Sequence, residues 1–392
     1  MTAVRVAFVI GHTDDRWIGG TNYIRNLIQA VLAAPDSGVQ PVVLVPPGAS
    51  PAFLNSLPGV EVIHTRLVSG HHLWRVLGKV TERLLGRNIA IEMLFRLRRI
   101  DVLSHATLAG PRSPLPTIVW IPDFQHRRLP DFFSVEEIAR RDVDIRRAVR
   151  DATRVILSSH DAQRDLERFI PGSVAKSDVL HFVSGVGGEI QPTDLTALQT
   201  RYGFQGPYFH LPNQFWHHKN HGVVVSALAE LKGMGKSVTV ICTGSTEDYR
   251  HPEYFAEFIE QVSVADVGDS LKLLGVVPYE DMRGLMLNAV AVINPSFFEG
   301  WSTTVEEAKS LGKAIILSDI PVHCEQAPER GVMFDPNNAS QLAVIMNSIS
   351  TSHDPSADAR YVMISKSNLA GRFIEFGKNY GKIVAKAFGE RA

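Results

Sequence analysis

Apolar runs of strand length alternate with amphipathic stretches of helical length, and the alternation happens twice. VRVAFVIG (4–11), PVVLVPPG (41–48), VEVIHT (60–65), DVLSHA (101–106), TIVWIP (117–122) and RVILSS (154–159) are short and mostly rich in Val and Ile, as strands buried on both faces of a parallel sheet are. Between them TNYIRNLIQAVLAA (21–34) carries Tyr23, Ile24, Leu27, Ile28, Val31 and Leu32 at helical spacing. VEEIARRDVDIRRAVRDA (135–152) reads as a charged helix. A glycine-rich stretch without periodicity, FVSGVGGEIQP (182–192), marks a linker. The pattern then restarts with PYFHLPN (207–213), SVTVICTG (237–244), SLKLLG (270–275), AVAVINPS (289–296) and AIILSD (314–319) as strands, each followed by a loop and a helix. This order predicts an α/β fold of two Rossmann-like domains, 1–195 and 196–370, with a helical tail over 371–392 that puts Phe373, Phe376 and Tyr380 on one face.

The most informative stretch is FFEGWSTTVEEAKSLGKAII (297–316). A buried strand containing Val292 and Ile293 leads into a small-residue loop with Glu299 and Gly300. Ser302, Thr303 and Thr304 can each accept from the orphan amides of a first helical turn, with Glu306 close behind, and Gly312 suits the left-handed position that ends a helix. In a doubly wound sheet the loop at a strand's carboxyl end is where ligands sit, and a helix amino terminus there offers N–H groups and partial positive charge to a phosphate. Glu299 in the loop and Glu307 inside the helix bracket that spot. Carboxylates repel phosphate but accept well from sugar hydroxyls. Either Glu alone reads as an ordinary surface acid; the two together, with the loop and both strands, fit a diphosphate carrying a sugar on each side.

At these residues the sequence resembles the donor-binding signature of the retaining glycosyltransferases of the GT-B fold, family 4 (glycosyl transferases group 1). The family pattern of Glu-Gly, a short loop, a second Glu eight positions on, then Ala and Gly stands here as Glu299-Gly300, Glu307-Ala308 and Gly312. Ser302 takes the place of the family's second glycine, and its hydroxyl is expected to touch phosphate. Lys219-Asn220 matches the family's phosphate-clamping Lys-Asn, Asn220 also being a plausible helix cap, but the clamping Arg falls on Gln214, which supplies no charge. His217 and His218 are the candidates to compensate. The resemblance further implies a deep cleft between the domains and a last helix crossing back to the first. It implies diphosphate contact from Gly19 and Gly20 just before a helix, loops at Gly244 and at Gly275, Val276 and Val277 reaching the nucleotide, and His126, beside Asp123 and Gln125, near the transferred sugar or acceptor.

The implied activity is transfer of a glycosyl group, with retention, from a GDP- or UDP-linked sugar to a hydroxyl of a glycan or lipid-linked acceptor, in surface polysaccharide or lipopolysaccharide synthesis. No carboxylate reads as a nucleophile, so a front-face path is expected, with developing phosphate charge met by Lys219, the amides near Thr303 and Thr304, and the Gly19-Gly20 loop. Neither cofactor nor metal is expected. Asp142 and Asp144 form an Asp-x-Asp, but inside a helix they point about 200° apart, so it is no metal site. Two other readings share this architecture: a sugar-nucleotide epimerase, and a non-catalytic nucleotide-sugar or glycan-binding protein.

Composition adds limits. The 392 residues carry a formal net charge of −1, which excludes a strong global affinity for nucleic acid. Cys242 and Cys324 fall in or beside apolar segments and read as reduced core residues, which suits a cytoplasmic protein. The start lacks the apolar core and cleavage site of a signal peptide, and no stretch reaches membrane-spanning length. Residues 71–100 stand apart: Arg75, Lys79, Arg83, Arg87, Arg96, Arg98 and Arg99 face only Glu82 and Glu92, with Trp74, Leu77, Leu84, Leu85, Leu94 and Phe95 as an apolar side. They read as an amphipathic helix pair of the domain, or as a peripheral contact with the inner face of a membrane or with a polyanionic acceptor.

Overall fold

The computed structural model describes residues 3–10, 18–68, 73–184 and 193–390. The chain forms two compact units, one of residues 1–124, 135–183 and 370–392, the other of 125–134 and 184–369. The segment 125–134, expected in the first domain, thus groups with the second. The reason is aromatic: Phe132 stacks on His217 with ring centroids 4.4 Å apart, and the Arg250 guanidinium lies 4.7 Å over the Phe133 ring.

The first unit is a parallel sheet of seven strands, β1 (Val4–Val9), β2 (Val39–Val45), β3 (Glu61–His64), β4 (Val102–Ser104), β5 (Thr117–Ile121), β6 (Arg154–Leu157) and β7 (Ser177–Val179), in the order 3-2-1-4-5-6-7. Its helices are α1 (Ile18–Ala33), α2 (Pro51–Asn55), α3 (Leu73–Leu85), α4 (Ile89–Arg98), α6 (Val135–Asp151) and α7 (His160–Phe169), while α5 (Gln125–Arg128) lies in the segment that groups with the second unit. Because α1 begins at Ile18, Gly19 and Gly20 lie in its first turn rather than ahead of it, and most of the loop before them falls outside the described residues. Asp142 and Asp144 lie within α6, as the helical reading required.

The second unit repeats the design with six parallel strands, β8 (Phe209–Leu211), β9 (Val240–Cys242), β10 (Leu271–Leu273), β11 (Val292–Asn294), β12 (Ile315–Ser318) and β13 (Gly331–Phe334), in the order 10-9-8-11-12-13. Around them run α8 (Leu195–Tyr202), α9 (His221–Gly233), α10 (Tyr254–Val264), α11 (Tyr279–Asn288), α12 (Thr303–Leu311), α13 (Pro321–Gln326) and α14 (Ala339–Ser352). The strand order reverses between β8 and β11, so the loops following these two strands flank the sheet's switch point. Cys242 is buried in β9, but Cys324, expected in the core, is exposed on α13 with its thiol 3.1 Å from Asp319 Oδ1.

The last helix, α15 (Pro355–Gly389), contributes to both units. Its start is held to the second sheet by Asp358, which receives Lys313 Nζ at 2.6 Å and Arg330 Nη2 at 2.7 Å. Its final turns complete the first unit's core. A Cβ on Gly377 or Gly381 would come within 2.2 Å of Ala30 O or Ser37 O, so only glycine permits this approach to α1 and the residues after it. Phe373, Phe376 and Tyr380 are buried there, and Tyr380 donates to Ser104 Oγ at 2.7 Å.

Candidate active site

The amino end of α12 is fixed from three sides. Ser302 caps the helix as expected, its Oγ accepting from Val305 N at 3.4 Å, and Gly312 ends it at φ 65°. The same Oγ accepts from Asn294 Nδ2 at 2.7 Å and is buried. In both bonds the oxygen is the acceptor, so the Ser302 proton stays available for the expected phosphate contact. Gln326 clamps the same residue through its backbone: Oε1 accepts Ser302 N at 3.0 Å and Nε2 donates to Ser302 O at 3.1 Å and to Glu306 Oε1 at 3.0 Å. The amides of Thr303 and Thr304 have no acceptor among the described residues, which leaves them as donors at the positive end of the helix dipole.

The loop after β8 meets this end. Asn213 accepts from Thr304 Oγ1 at 3.3 Å and donates to Asn294 Oδ1 at 3.2 Å, tying the two strands across the switch point. Lys219, in a single turn of 3-10 helix, reaches Glu299 Oε1 at 2.7 Å. The Ser296 hydroxyl lies 2.8 Å from the same carboxylate oxygen and 2.8 Å from Asn294 Oδ1, and its one proton serves either. Burial alone pushes the Glu299 carboxyl up, but the charge of Lys219 and the hydrogen bonds from Lys219 and Ser296 oppose it, and the group is held below the usual carboxylate range. His323 donates from Nδ1 to Ser318 O at 2.9 Å, and burial lowers its pKa, so it stands as a neutral imidazole behind the pair.

Glu307 behaves in the opposite way. It accepts from Tyr279 OH at 3.3 Å, and desolvation raises its pKa to about 7 against the partial relief from Tyr279 and Arg283. Two carboxylates of one loop and helix are therefore set apart, Glu299 ionised and Glu307 titrating near neutrality.

The remaining expected residues are placed as follows. Gly300 follows Glu299 in the loop; Gln214 is half-buried in the loop after β8. Gly244 has φ 139°, and a Cβ there would lie 2.5 Å from Asn213 O, so glycine is required where this backbone passes the β8 loop. Its amide donates to Gly275 O at 2.8 Å, beside Val276, which is 75% exposed. Asn220 occupies the position before α9 with φ 56°, but its side chain does not cap; Nδ2 donates instead to Pro295 O at 3.1 Å and Pro336 O at 2.8 Å. His217 and His218 do not replace the missing cation. Burial lowers both pKa values, with His251 adding to the effect at His217 and Lys219 at His218, so both are neutral at pH 7. Arg250, which sequence reading did not single out, is sandwiched between Trp216 (4.6 Å) and Phe133 and donates to Gln125 Oε1 at 3.0 Å, its charge answered by Asp248 at 3.6 Å. His126 sits in α5 and is 1% exposed, packed edge-on against Phe133.

Asn213, Asn294, Ser296 and Gln326 were also absent from the sequence reading. The polar residues that end β8 and β11, Asn213 and Asn294 to Ser296, carry a signal in their position; Gln326, from a later helix, carries none.

Known proteins resemble this chain in part of its sequence and in its fold. Residues 205–365 match the family model of Glycosyl transferases group 1. A stretch of 73 residues, 19% of this chain and 19% of the relative, is 32% identical to the O-antigen chain mannosyltransferase B of Escherichia coli. Among solved structures, the Anabaena protein Alr3699/HepE in complex with UDP and glucose superposes with a TM-score of 0.67 over 97% of this chain and 99% of that one, at 18% identity. Sucrose-phosphate synthase of Thermosynechococcus elongatus does so with a TM-score of 0.68 over 99% and 100%, at 14% identity. The whole chain thus has the GT-B fold of two Rossmann-like domains, and its second unit carries the sequence pattern of the group 1 glycosyltransferases.

Proposed function

We propose that this protein is a retaining, metal-independent glycosyltransferase that moves a hexosyl group from a GDP- or UDP-linked sugar to a hydroxyl of a glycan or lipid-linked acceptor. The observation that carries the reading is the Lys219–Glu299 pair set before the free amides of α12 at the sheet's switch point. The diphosphate would lie against the Thr303 and Thr304 amides with Lys219 beside it. Glu299, kept ionised, would accept from hydroxyls of the transferred sugar, and Glu307 from those of the ribose. As the bond to the anomeric carbon breaks, negative charge grows on the leaving phosphate, where the lysine and the helix end are already oriented. A front-face path then lets that phosphate take the acceptor's proton. The bound UDP and glucose of the Anabaena relative and the O-antigen role of the Escherichia coli one support a nucleotide-sugar donor and a surface polysaccharide setting. A lipid-linked acceptor would bring the enzyme to the inner face of a membrane, with residues 71–100 as the contact.

The test is incubation of purified protein with a panel of GDP- and UDP-sugars. Slow hydrolysis of one donor, lost in Glu299→Gln, supports transfer. An epimerised sugar nucleotide, or tight binding without turnover, would replace this reading.

A further inference from the structure

The basic pair of helices α3 and α4 is turned the wrong way round for a domain element. On a helical wheel of about 100° per residue, Lys79, Arg83, Val76, Val80, Leu84 and Leu77 follow one another in a single arc of α3. All six are exposed, Leu84 to 76%. Among its described side chains, those that α3 presents to the protein are small or polar. Gly78 is buried so tightly that a Cβ would lie 2.5 Å from Asn88 Oδ1, Thr81 Oγ1 accepts from Ile89 N at 3.3 Å, and Glu82 is ion-paired to Arg147.

In α4 the core takes Ile91 and Phe95 as usual, while Ile89, Met93 and Leu97, spaced four apart, form a second exposed apolar row with Arg96 beside it. Eight large apolar side chains between Val76 and Leu97 are thus 41–76% exposed. The sequence places Leu77, Leu84 and Leu85 on the apolar side of a helix pair and leaves open whether the domain or an outside surface covers it; the structure leaves all three in solvent.

Beside this face is a groove of ≈ 580 Å³ lined by Lys79 and Arg83 of α3, Arg147 and Arg150 of α6, Pro111 and Glu82. Arg147 pairs with Glu82 and with the buried Asp151, which Arg150 also meets at 2.6 Å, so Lys79 and Arg83 supply the positive charge that makes this an anion-attracting recess at the edge of the apolar rows.

We propose that the α3–α4 face docks on an anionic phospholipid bilayer, its apolar rows entering the acyl boundary and the groove cations meeting lipid phosphates. The charge pattern selects this partner. A second protein would need matching carboxylates and would leave the leucines of two helices to be covered by one complementary groove, whereas a bilayer accepts a row of apolar side chains of any shape under a basic rim. No helix of the described residues is long and apolar enough to cross a membrane, so contact would be from one side. The proposal deepens the reading of a lipid-linked acceptor, on which its biological purpose rests; the surface itself is defined without it.

The test is sedimentation of the full chain with vesicles of phosphatidylcholine alone and of phosphatidylcholine with phosphatidylglycerol. The expected result is binding to the anionic vesicles, weakened by salt, with much weaker binding to the neutral ones. Each basic side chain near an anionic leaflet changes partition about fivefold, so Lys79→Glu/Arg83→Glu should weaken binding at least about tenfold. Leu84→Glu/Leu97→Glu, at exposed positions, should abolish it while melting temperature and sugar-nucleotide binding stay unchanged. Absence of wild-type binding to anionic vesicles, equal binding by the variants, or a dimer dispersed by Leu84→Glu/Leu97→Glu without vesicle binding would each overturn the proposal. Donor turnover is read separately, so loss of membrane binding and loss of transferase activity are distinguishable.

Discussion

If Glu307 holds the donor's ribose as proposed, its raised pKa makes donor binding pH-dependent. With a pKa of about 7, the side chain is about one-tenth ionised at pH 6 and about nine-tenths at pH 8. If the ribose hydroxyls need both carboxylate oxygens as acceptors, donor affinity rises nearly tenfold over that interval. Sugar nucleotides suit the assay because their diphosphate has no proton to lose there, so calorimetric titration at several pH values isolates the protein's group. Glu307→Gln should bind weakly and without this slope. The same shift has an opposite effect on the empty fold. A carboxyl whose folded pKa lies above its ordinary 4.5 contributes no penalty below that value, and destabilises progressively as pH rises from 4.5 to 7. At about 1.4 kcal/mol per unit the penalty above pH 7 is of order 3 kcal/mol, and Glu307→Gln should regain much of it. A flat affinity profile in the wild type, or the same slope in Glu307→Gln, would refute the assignment of this group to the donor.

Further outcomes follow from the same network. Lys219→Met strands the buried Glu299 carboxylate and should cost about 3–5 kcal/mol in denaturant unfolding, while Lys219→Met/Glu299→Gln should recover most of that stability and none of the turnover. Ser302→Ala removes a helix cap and should lower stability by about 1 kcal/mol in denaturant unfolding, and it should weaken donor affinity in a binding titration if the Ser302 proton meets phosphate. Gln214→Arg restores a cation to the loop after β8 and should tighten donor binding with a stronger salt dependence than the wild type.

The parts of this site that could be read from the sequence are those whose cause is local. Ser302 and Gly312 announce the ends of α12 because capping depends on a few neighbouring residues, and Val292 and Ile293 announce β11 because a doubly covered strand needs an unbroken apolar run. The clamp of Gln326 on Ser302 joins residues 24 positions apart, and the Asn213–Asn294 link joins residues 81 apart. Periodicity has nothing to say about either. The histidines beside Lys219 failed as cations for a related reason: charge at His218 is decided by burial, which three-dimensional packing sets. In α3 the apolar arc was visible as spacing, but spacing cannot tell whether that arc is covered.

The discontinuity of the first unit shapes how the chain must mature. Its sheet is synthesised first, yet the turns carrying Phe373, Phe376 and Tyr380 leave the ribosome only after the entire second unit. Until then the partners of those rings on α1 and β4 stay uncovered in the nascent protein, so translation arrested between the second unit and these turns should yield a product with one finished half and one unfinished half.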